Sequence, residues 1–441
     1  MKALILAGGK GTRLKELTAA VPKALVPIAG KPVIEYQLEL LRRQGLVEVV
    51  ILVNHLGAAI KEHCGDGQKW GLRISYLEEA EPLGTAGGIR ALAAELTEDF
   101  LVLYGDLLVN MDLQRFRRRH EDNVAADPAT AGTLMVHPNN HPFDSDLVAV
   151  DEDTGRITGF MSKPHPPELV YRNLVNAAVY FLTPRIFEYI PTGRAADFGH
   201  DVFPAVVRGG RHGLYAYNSP EHLRDMGTPE RLAQAEVDVA SGYFARGTLA
   251  FAKPAVFLDR DGVLNEEVDG VRSAEDFRLL PKAAAAIREI NRGGYYAVIV
   301  TNQPVVAKGF CEYGDVMEIH KKMETELGQA GAKLDAIYFC AHHPEKGFPG
   351  ENPIYKVVCT CRKPAIGMIE RAAKELNIDL RQSWLIGDTT VDAQTAANAG
   401  LRFAGVRTGY GCRDGKFSPA AAGSPLYDDV LAAVFAIVGK C

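Results

Sequence analysis

The stretch Phe257-Leu258-Asp259-Arg260-Asp261-Gly262 carries two carboxylates two residues apart, where an apolar strand meets a glycine turn. Residues 255–258 predict a buried strand, which places Asp259 at its carboxyl end, where open α/β sheets bind ligands. In an extended segment, residues i and i+2 share a face, so Asp259 and Asp261 can act on one group. One carboxylate can attack phosphorus while the other gives a proton to the leaving oxygen and later activates water. The alternative is a strand and an Asp-rich turn without chemistry.

Three later segments of the same half carry phosphate-binding or metal-binding groups. Predicted strand 297–300 ends in a hydroxyl and an amide that can bind a phosphoryl oxygen, the run 361–364 presents two cations before a helix, and strand 384–387 is followed by two carboxylates. These side chains are Thr301, Asn302, Arg362, Lys363, Asp388 and Asp392.

In this order the motifs resemble those of the haloacid dehalogenase superfamily of phosphatases, over roughly residues 255 to 410. The resemblance implies that Asp259 is the nucleophile, Asp261 the acid and base, and Lys363 the stabiliser of the transferring group. It further implies that Thr301, Asn302 and Arg362 bind substrate. Clustered carboxylates need a cation to stay ionised, which implies Mg²⁺. By resemblance, its ligands are Asp259, the Asp261 carbonyl and Asp388, with support from Asp392.

Three cysteines and a histidine in this half have the spacing of a structural zinc site. They are arranged as Cys-x-His, a loop of sixteen residues and Cys-x-Cys, and the four candidates are Cys340, His342, Cys359 and Cys361. Three thiolates and one imidazole make a closed tetrahedral Zn²⁺ site that holds a loop in place. His343 is an alternative ligand, and unligated buried thiols are the alternative to a metal. Together with the aspartate motif, this loop resembles the heptose-1,7-bisphosphate phosphatases, and histidinol-phosphate phosphatases share much of the pattern.

The N-terminal half opens with a second candidate site for phosphate. Apolar residues 2–7 predict a strand, and glycines with two cations follow it at residues 8–13. Glycines let the backbone wrap around an anion, and its N–H groups act as donors. Lys23 lies ten residues after Arg13, between two prolines. Taken alone, the glycine loop is weak evidence, because glycine-rich segments after strands are commonly ordinary turns, and Lys23 by itself fits a solvated loop cation better than a catalytic residue.

Alternating strands and helices predict the elements that position these groups. An amphipathic helix is predicted over 32–44 and strands over 48–54, 72–77 and 100–104, which indicates a parallel, doubly wound sheet. Asp106 follows the last of these strands, in the position of a magnesium ligand. The loop at residues 83–88 precedes a helix and offers backbone amides to a base or ribose.

Residues 1 to 240 resemble the sugar-1-phosphate nucleotidyltransferases, in which a sugar 1-phosphate displaces pyrophosphate from a nucleoside triphosphate. The resemblance rests on five ordered motifs, which include Pro22-Lys23, Gly105-Asp106 and Asp225-x-Gly227-Thr228-Pro229. By resemblance, the nucleotide is bound by Gly8, Gly9, Gly11, Thr12, Arg13, Leu83, Gly84, Thr85 and Gly87. Arg13 and Lys23 are expected to be catalytic, Asp106 and Asp225 to share Mg²⁺, and Asn176 and Lys163 to contact the sugar.

Composition sets the remaining expectations. The net charge of −6 gives no basic field for nucleic acid or an anionic membrane, and the first apolar run is too short for a signal segment. We therefore expect a cytoplasmic protein whose partners are a nucleoside triphosphate and a phosphosugar, with a homo-oligomer left open. The expected domains are residues 1–240, a linker at 241–254 and residues 255–441, both domains being doubly wound and Rossmann-like.

Two linked chemistries in one chain suggest consecutive steps. The hypothesis is a bifunctional enzyme that removes the 7-phosphate of D-glycero-D-manno-heptose 1,7-bisphosphate and joins the resulting 1-phosphate to a nucleotide, with GTP chosen by resemblance. The alternatives are the same chemistries on mannose or N-acetylated sugar phosphates with UTP or dTTP, histidinol-phosphate hydrolysis, or one domain that serves only as a binding module.

Overall fold

The computed structural model describes residues 1–9, 21–54, 56–79 and 81–439, and the chain divides into two compact units. The first unit contains Met1–His137, Ser145–Lys163 and Leu174–Ala250. The second contains Pro138–Asp144, Pro164–Asn173 and Phe251–Cys441. The main change from one unit to the other therefore falls between Ala250 and Phe251, inside the segment predicted to be a linker.

The first unit is built on a nine-stranded sheet that is buried on both faces. In its first strand, β1 (Ala3–Leu6), Ala3 and Ile5 pack into one hydrophobic cluster and Leu4 packs into another. Successive side chains of a strand point to opposite faces, so a continuous apolar run is what a strand covered on both sides requires. The sequence prediction of a buried strand at this position is confirmed.

The strands of the first unit combine a parallel half with an antiparallel half. β1 runs parallel to β4 and β6, and β4 runs parallel to β5, as the alternating pattern predicted. β11 is antiparallel to β6, β8 and β9, an arrangement that the sequence analysis did not predict. The sheet strands after β1 are β4 (Glu48–Val53), β5 (Arg73–Glu78), β6 (Phe100–Tyr104), β8 (Thr130–His137), β9 (Leu147–Val150), β10 (Ile157–Met161), β11 (Val175–Leu182) and β12 (Gly213–Asn218).

Two small antiparallel ribbons accompany this sheet. They are β2 (Pro27–Ile28) with β3 (Lys31–Pro32), and β7 (Leu107–Asn110) with β13 (His222–Asp225). Within the described residues of the first unit, the helices are α1 (Val33–Arg43), α2 (Gly57–Cys64), α3 (Gly84–Gly87), α4 (Leu113–Ala126), α5 (Phe203–Gly209) and α6 (Pro229–Ala240). Single 3₁₀ or π turns occupy Lys23–Leu25, Gln68–Trp70, Gly88–Leu92, Pro184–Glu188 and Phe198–Val202.

The second unit has a six-stranded sheet in which every strand pair is parallel. The strand order is β16-β15-β14-β17-β18-β19, so the chain leaves β14 toward one side of the sheet and returns on the other. That reversal opens a crevice at the carboxyl end of β14. The strands are β14 (Ala255–Leu258), β15 (Tyr296–Asn302), β16 (Ala336–Cys340), β17 (Trp384–Gly387), β18 (Arg402–Val406) and β19 (Leu426–Tyr427).

Helices alternate with the strands of this second sheet and bury apolar faces against it. In α7, Ala286, Ile287 and Ile290 recur at helical spacing and lie in the core with Val256 of β14. The helices are α7 (Ala283–Arg292), α8 (Tyr313–Gln329), α9 (Gly367–Leu376), α10 (Thr390–Ala399), α11 (Ser418–Ala421) and α12 (Val430–Val438). Across the described parts of the chain, no helix combines the length and the apolar character needed to cross a membrane.

Candidate active sites

The carboxyl end of β14 carries the first candidate site. β14 lies between β15 and β17, and Asp259, the residue after β14, donates its backbone N–H to the carbonyl of Ile386 at 3.0 Å. β17 ends at Gly387, and Asp388 follows it. Because parallel strands end at the same edge of a sheet, these two aspartates from distant parts of the chain meet in the crevice.

Three carboxylates form a cluster at this edge. Oxygens of Asp259, Asp388 and Asp392 lie within 4.8 Å of one another, and Asp392 comes from the first turn of α10. Burial, with the charges of the other two carboxylates, raises the pKa of Asp388 to about 8. Burial also raises the pKa of Asp259 to about 6, against the opposing charge of Lys363. The sequence analysis gave Asp392 a supporting role, and its side chain lies within the cluster itself.

Lys363 is the cation that faces this cluster. Its Nζ lies 2.8 Å from Oδ2 of Asp259 and 2.6 Å from Oδ1 of Asp392. Burial lowers the pKa of Lys363, but the two carboxylates outweigh it and raise the pKa overall. One ammonium group offsets one of three carboxylates, and the remaining buried negative charge favours a bound cation. An all-oxygen donor set of this kind suits Mg²⁺.

Two glycines make room for Asp388. Gly262 has φ of 77° and Gly409 has φ of 58°, and a Cβ on either would come within 2.3 Å of Oδ2 of Asp388. The same oxygen accepts a hydrogen bond from the backbone N–H of Tyr410 at 2.8 Å. The sequence analysis identified the glycine turn at Gly262 but missed the loop at 409–410, which no local motif marks.

The side chain of Asp261 is held by other partners. Its carboxylate accepts hydrogen bonds from Arg260, Asn265 and Gln303, all of which are fully or almost fully buried. The cluster of Asp259, Asp388 and Asp392 does not include the Asp261 side chain among the described residues. The predicted roles of Asp261 as acid and base, and of its carbonyl as a metal ligand, stay predictions.

The predicted phosphate-binding residues end β15 beside the cluster. Thr301 is buried, and its Oγ1 accepts a hydrogen bond from Gln303 at 3.0 Å. Asn302 exchanges two hydrogen bonds with the backbone of Lys363, at 3.0 and 3.1 Å. Asn302 therefore fixes the segment that carries Lys363, a positioning role that the sequence analysis did not predict.

The cysteines and histidine with metal-site spacing do converge. The Sγ atoms of Cys340, Cys359 and Cys361 lie 3.2 to 3.6 Å apart, and Nδ1 of His342 lies 3.3 Å from Sγ of Cys361 and 3.6 Å from Sγ of Cys340. Zinc–sulfur bonds of about 2.3 Å at tetrahedral angles give sulfur–sulfur distances of about 3.8 Å, close to those found here, so the donor set fits Zn²⁺. His343 instead faces the carbonyl of Glu345 at 3.4 Å.

A hydrogen bond joins this metal-type cluster to Arg362, the residue before Lys363. Nη1 of Arg362 donates to the carbonyl of His342 at 3.1 Å, and burial lowers the pKa of Arg362. Hydrogen bonds from Cys340, and then from Cys359 and His342, lower the pKa of Cys361 to about 5. Cys361 is therefore a ready thiolate ligand at neutral pH.

The first unit contains a cavity of about 400 Å³ at the carboxyl ends of β1 and β6. Residues at both strand ends line the cavity, together with residues of the loop that precedes α3 and of the first turn of α3. The lining includes Gly8, Gly9, Lys23, Glu79, Pro82, Gly84, Thr85, Tyr104, Gly105, Asp106 and Asp197. A volume of this order suits a ligand of nucleotide size.

Ion pairs occupy the two aspartates predicted to share magnesium. Lys23, from the turn between two prolines, pairs with Asp106 in the cavity wall. Nη1 of Arg231 lies 2.8 Å from each carboxylate oxygen of Asp225, and Oδ1 of Asp225 also accepts a hydrogen bond from the backbone N–H of Gly227. Burial raises the pKa of Asp225, but Arg231 outweighs it and the pKa falls. The shared magnesium site stays a prediction, and Arg231 is a residue that the sequence analysis missed.

The loop predicted to contact base and ribose packs against residues 194–197. Thr85 donates to Oδ2 of Asp197 at 2.7 Å, and a Cβ on Gly84 would meet the carbonyl of Ala196 at 2.5 Å. Gly87 likewise packs close to residues 194–196. Gly84 and Thr85 line the cavity, whereas Gly87 is buried against this neighbouring segment. Leu83 immediately precedes α3 and accepts the backbone N–H of Ala196 at 2.9 Å.

The two residues predicted to contact the sugar meet at Asp146. The backbone N–H of Lys163 donates to Oδ1 of Asp146 at 3.3 Å, and the backbone N–H of Asn176 donates to the carbonyl of Asp146 at 3.0 Å. Their roles stay predictions. Three further predicted residues, Gly11, Thr12 and Arg13, lie outside the described part of the chain.

Comparisons with known proteins match two separate parts of the chain to two different families. Residues 2–242 match the family model described as nucleotidyl transferase, and residues 360–433 match the one described as HAD-hydrolase-like. The chain is 36% identical over 239 residues to UTP–glucose-1-phosphate uridylyltransferase of Synechocystis sp., covering 52% of this chain and 60% of that protein. It is 34% identical over 241 residues to mannose-1-phosphate guanylyltransferase of Mycobacterium tuberculosis, covering 54% and 65%.

The C-terminal half has relatives of its own. It is 44% identical over 149 residues to D-glycero-beta-D-manno-heptose-1,7-bisphosphate 7-phosphatase of Rhodopseudomonas palustris, covering 34% of this chain and 81% of that protein. The chain thus spans most of this relative but only 60% and 65% of the two transferases.

Proposed function

We propose that the chain, which belongs to the nucleotidyl transferase family over residues 2–242 and to the heptose-1,7-bisphosphate 7-phosphatases in its C-terminal part, is a bifunctional enzyme of nucleotide-heptose synthesis. Both family memberships were predicted by the resemblances found in the sequence. The phosphatase removes the 7-phosphate of D-glycero-D-manno-heptose 1,7-bisphosphate. The transferase joins the remaining 1-phosphate to a nucleotide and releases pyrophosphate. The proposal rests on the observation that one chain contains both a cluster of carboxylates paired with Lys363 and a cavity of nucleotide size.

The phosphatase step begins with Asp259. One of its oxygens attacks the phosphorus, the bond to the sugar oxygen breaks, and that oxygen takes a proton from Asp261. Water then attacks the aspartyl phosphate, gives a proton to Asp261, and releases inorganic phosphate and free Asp259. Lys363, 2.8 Å from Asp259, is placed to stabilise the charge on the transferring group. When bound, Mg²⁺ held by Asp259 and Asp388 supplies further charge neutralisation.

The transferase step needs no covalent intermediate. An oxygen of the sugar 1-phosphate attacks the α-phosphorus of the nucleotide, and the bond to pyrophosphate breaks. The glycine backbone at Gly8 and Gly9 would cradle the phosphates, and Lys23, at the wall of the cavity, would neutralise charge at the reacting centre. Arg13 would add to that charge by resemblance. Magnesium shared by Asp106 and Asp225 would neutralise the remaining charge of the triphosphate.

GTP is the proposed nucleotide. A guanylyltransferase and a uridylyltransferase are similar to this chain at 34% and 36% identity, so overall similarity does not separate guanine from uracil. Mannose or N-acetylated sugar phosphates with UTP or dTTP are therefore the competing substrates. We propose the cytoplasm as the compartment, because the nucleoside triphosphate is available there.

Incubation of the whole protein with heptose 1,7-bisphosphate, Mg²⁺ and one nucleoside triphosphate at a time tests the proposal. We expect mass spectrometry to detect inorganic phosphate with every nucleotide, and a nucleotide-linked heptose with GTP. Ready turnover of other phosphosugars without phosphate release from the bisphosphate would disprove the heptose assignment.

We also propose that Cys340, His342, Cys359 and Cys361 hold one Zn²⁺ that stabilises the loop between them. Replacing Cys359 by serine is expected to lower the zinc content from about one equivalent per chain to below about 0.2, because a closed site depends on all four ligands. Elemental analysis of the purified protein measures this.

Cys311 provides the matched control for this experiment. It is a partly buried cysteine of the same unit, outside the cluster, and burial raises the pKa of its thiol to about 11. Cys311→Ser should keep its zinc. Equal zinc in Cys359→Ser and the wild type would refute the site.

A further inference from the structure

Arg260 is the largest side chain with no exposed surface among the described residues, and it lies between the two aspartates of the motif. Its guanidinium group forks onto the next residue: Nε lies 3.0 Å from Oδ1 of Asp261, and Nη2 lies 2.9 Å from Oδ1 and 3.0 Å from Oδ2. Burial of a cation is costly unless it is paired and hydrogen-bonded. This arginine faces the acid and base, whereas Lys363 faces the nucleophile.

Gln303 completes the arrangement from a different strand end. Its Oε1 accepts from Nη2 of Arg260 at 2.8 Å, and its Nε2 donates to Oδ2 of Asp261 at 2.7 Å and to Oγ1 of Thr301 at 3.0 Å. Gln303 thus joins the proposed acid and base to the proposed phosphate-binding hydroxyl. Only 1% of Gln303 is exposed, so water does not compete for these bonds.

Two more buried groups close the network. Nδ2 of Asn265 donates to Oδ1 of Asp261 at 2.9 Å, and Nε2 of His320 lies 3.4 Å from Nη1 of Arg260. Burial lowers the pKa of His320 well below its usual range, so His320 is neutral and can accept that hydrogen bond. Together these contacts engage both oxygens of Asp261 and leave its carboxylate one orientation.

We propose that Arg260 and Gln303 are positioning residues that hold Asp261 at a fixed distance and angle from the oxygen it protonates. The inference rests on the proposed phosphatase function. Without such contacts, an aspartate side chain on a turn can rotate about its χ angles. Proton transfer, however, needs the donor within hydrogen-bond reach of the leaving oxygen. Misplacement by about 1 Å can cost about 10²-fold in rate.

Substrates with different leaving groups distinguish the positioning of Asp261 from a merely structural role of Arg260 and Gln303. A sugar oxygen leaves as a strongly basic alkoxide unless Asp261 protonates it while the phosphorus–oxygen bond breaks. The 4-nitrophenolate ion is a stable anion near neutral pH and leaves without a proton. Loss of Asp261 positioning should therefore slow release of the sugar far more than release of 4-nitrophenol, whereas general damage to the fold should slow both equally.

The experiment compares heptose 1,7-bisphosphate with 4-nitrophenyl phosphate in the full-length protein with Mg²⁺. For Gln303→Met we expect the single-turnover rate of sugar release from the bisphosphate to fall about 10-fold, and for Arg260→Met about 100-fold. KM should change little in Arg260→Met, because the Arg260 side chain bonds to Asp261, Gln303 and His320 and to none of the proposed substrate-binding groups. The rate of 4-nitrophenol release in a single turnover, which precedes the water attack that Asp261 also assists, should fall less than about 3-fold. Arg260→Lys should be intermediate, because an ammonium group cannot reproduce the two-bond fork.

Asn291→Ala is the matched control, because Asn291 makes two hydrogen bonds to the backbone of Lys333 in the same unit and touches no part of this network. Its two activities should change by the same factor. A parallel fall of the single-turnover rates of sugar release and 4-nitrophenol release in Gln303→Met would overturn the inference. If Arg260→Met fails to fold, Gln303→Met decides the question alone. A wild type that hydrolyses neither substrate would instead refute the proposed phosphatase.

Discussion

Replacing Asp259 by asparagine is expected to abolish phosphate release from heptose 1,7-bisphosphate, with kcat falling at least about 10⁴-fold, while nucleotidyl transfer continues at the wild-type rate. An amide of the same shape cannot form the acyl phosphate. It also removes one of the two carboxylates that Lys363 faces. Steady-state release of inorganic phosphate, measured beside synthesis of the nucleotide sugar from the 1-phosphate, gives both quantities on one preparation.

Asp276→Asn is the control for that loss. Asp276 is an exposed aspartate of the same unit whose carboxylate accepts only a local bond from Ser273 among the contacts described, and an amide oxygen can keep that bond. Both activities should be unchanged. Residual phosphatase activity above about 1% of the wild type in Asp259→Asn would remove Asp259 from the role of nucleophile.

Replacing Asp106 by alanine is expected to have the reciprocal effect. Asp106 lines the cavity of the first unit and pairs with Lys23, so its loss removes a predicted metal ligand and frees the lysine at the reacting centre. We expect kcat/KM for nucleotidyl transfer to fall about 10³-fold, because charge neutralisation carries most of such a reaction. Phosphate release from the bisphosphate should stay at the wild-type level.

Asp122, an exposed aspartate on α4, provides the comparison variant for this experiment. Asp122→Ala should leave both activities intact. Loss of both activities in either Asp106→Ala or Asp259→Asn would contradict two sites that work independently, and would mean that the chemistry of one depends on the other. A transferase unaffected by Asp106→Ala would instead require a different metal-binding or charge-neutralising residue.

Sequence patterns were most informative where chemistry follows a strand. β14 and β6 begin and end at the predicted residues, and Asp259, Asp388 and Asp106 each follow a strand end. The convergence of Asp259 and Asp388 in the second unit was predictable because parallel strands present their carboxyl ends at one edge. The zinc-type cluster was predictable for a similar reason, since spacing alone limits which of four donors can meet.

Partners across long separations were not predictable in the same way. Gln303 follows Asp261 by 42 residues and Asp392 follows Lys363 by 29, yet each pair lies within 2.7 Å. Arg260 offered no signal, because a charged residue between two aspartates is ordinarily read as solvated, and only the structure places it in the interior. The antiparallel pairing of β11 was missed because strand patterns do not state which strands are neighbours.

The sequence by itself determined the two chemistries and most of the residues that carry them, because residue type and distance from a strand end depend on local order. Only the tertiary structure decided which charge each residue faces: Lys363 between Asp259 and Asp392, Arg260 on Asp261, Lys23 on Asp106, and Arg231 on Asp225. Those pairings depend on how separate elements pack, and packing is set by the whole core rather than by any single stretch of the chain.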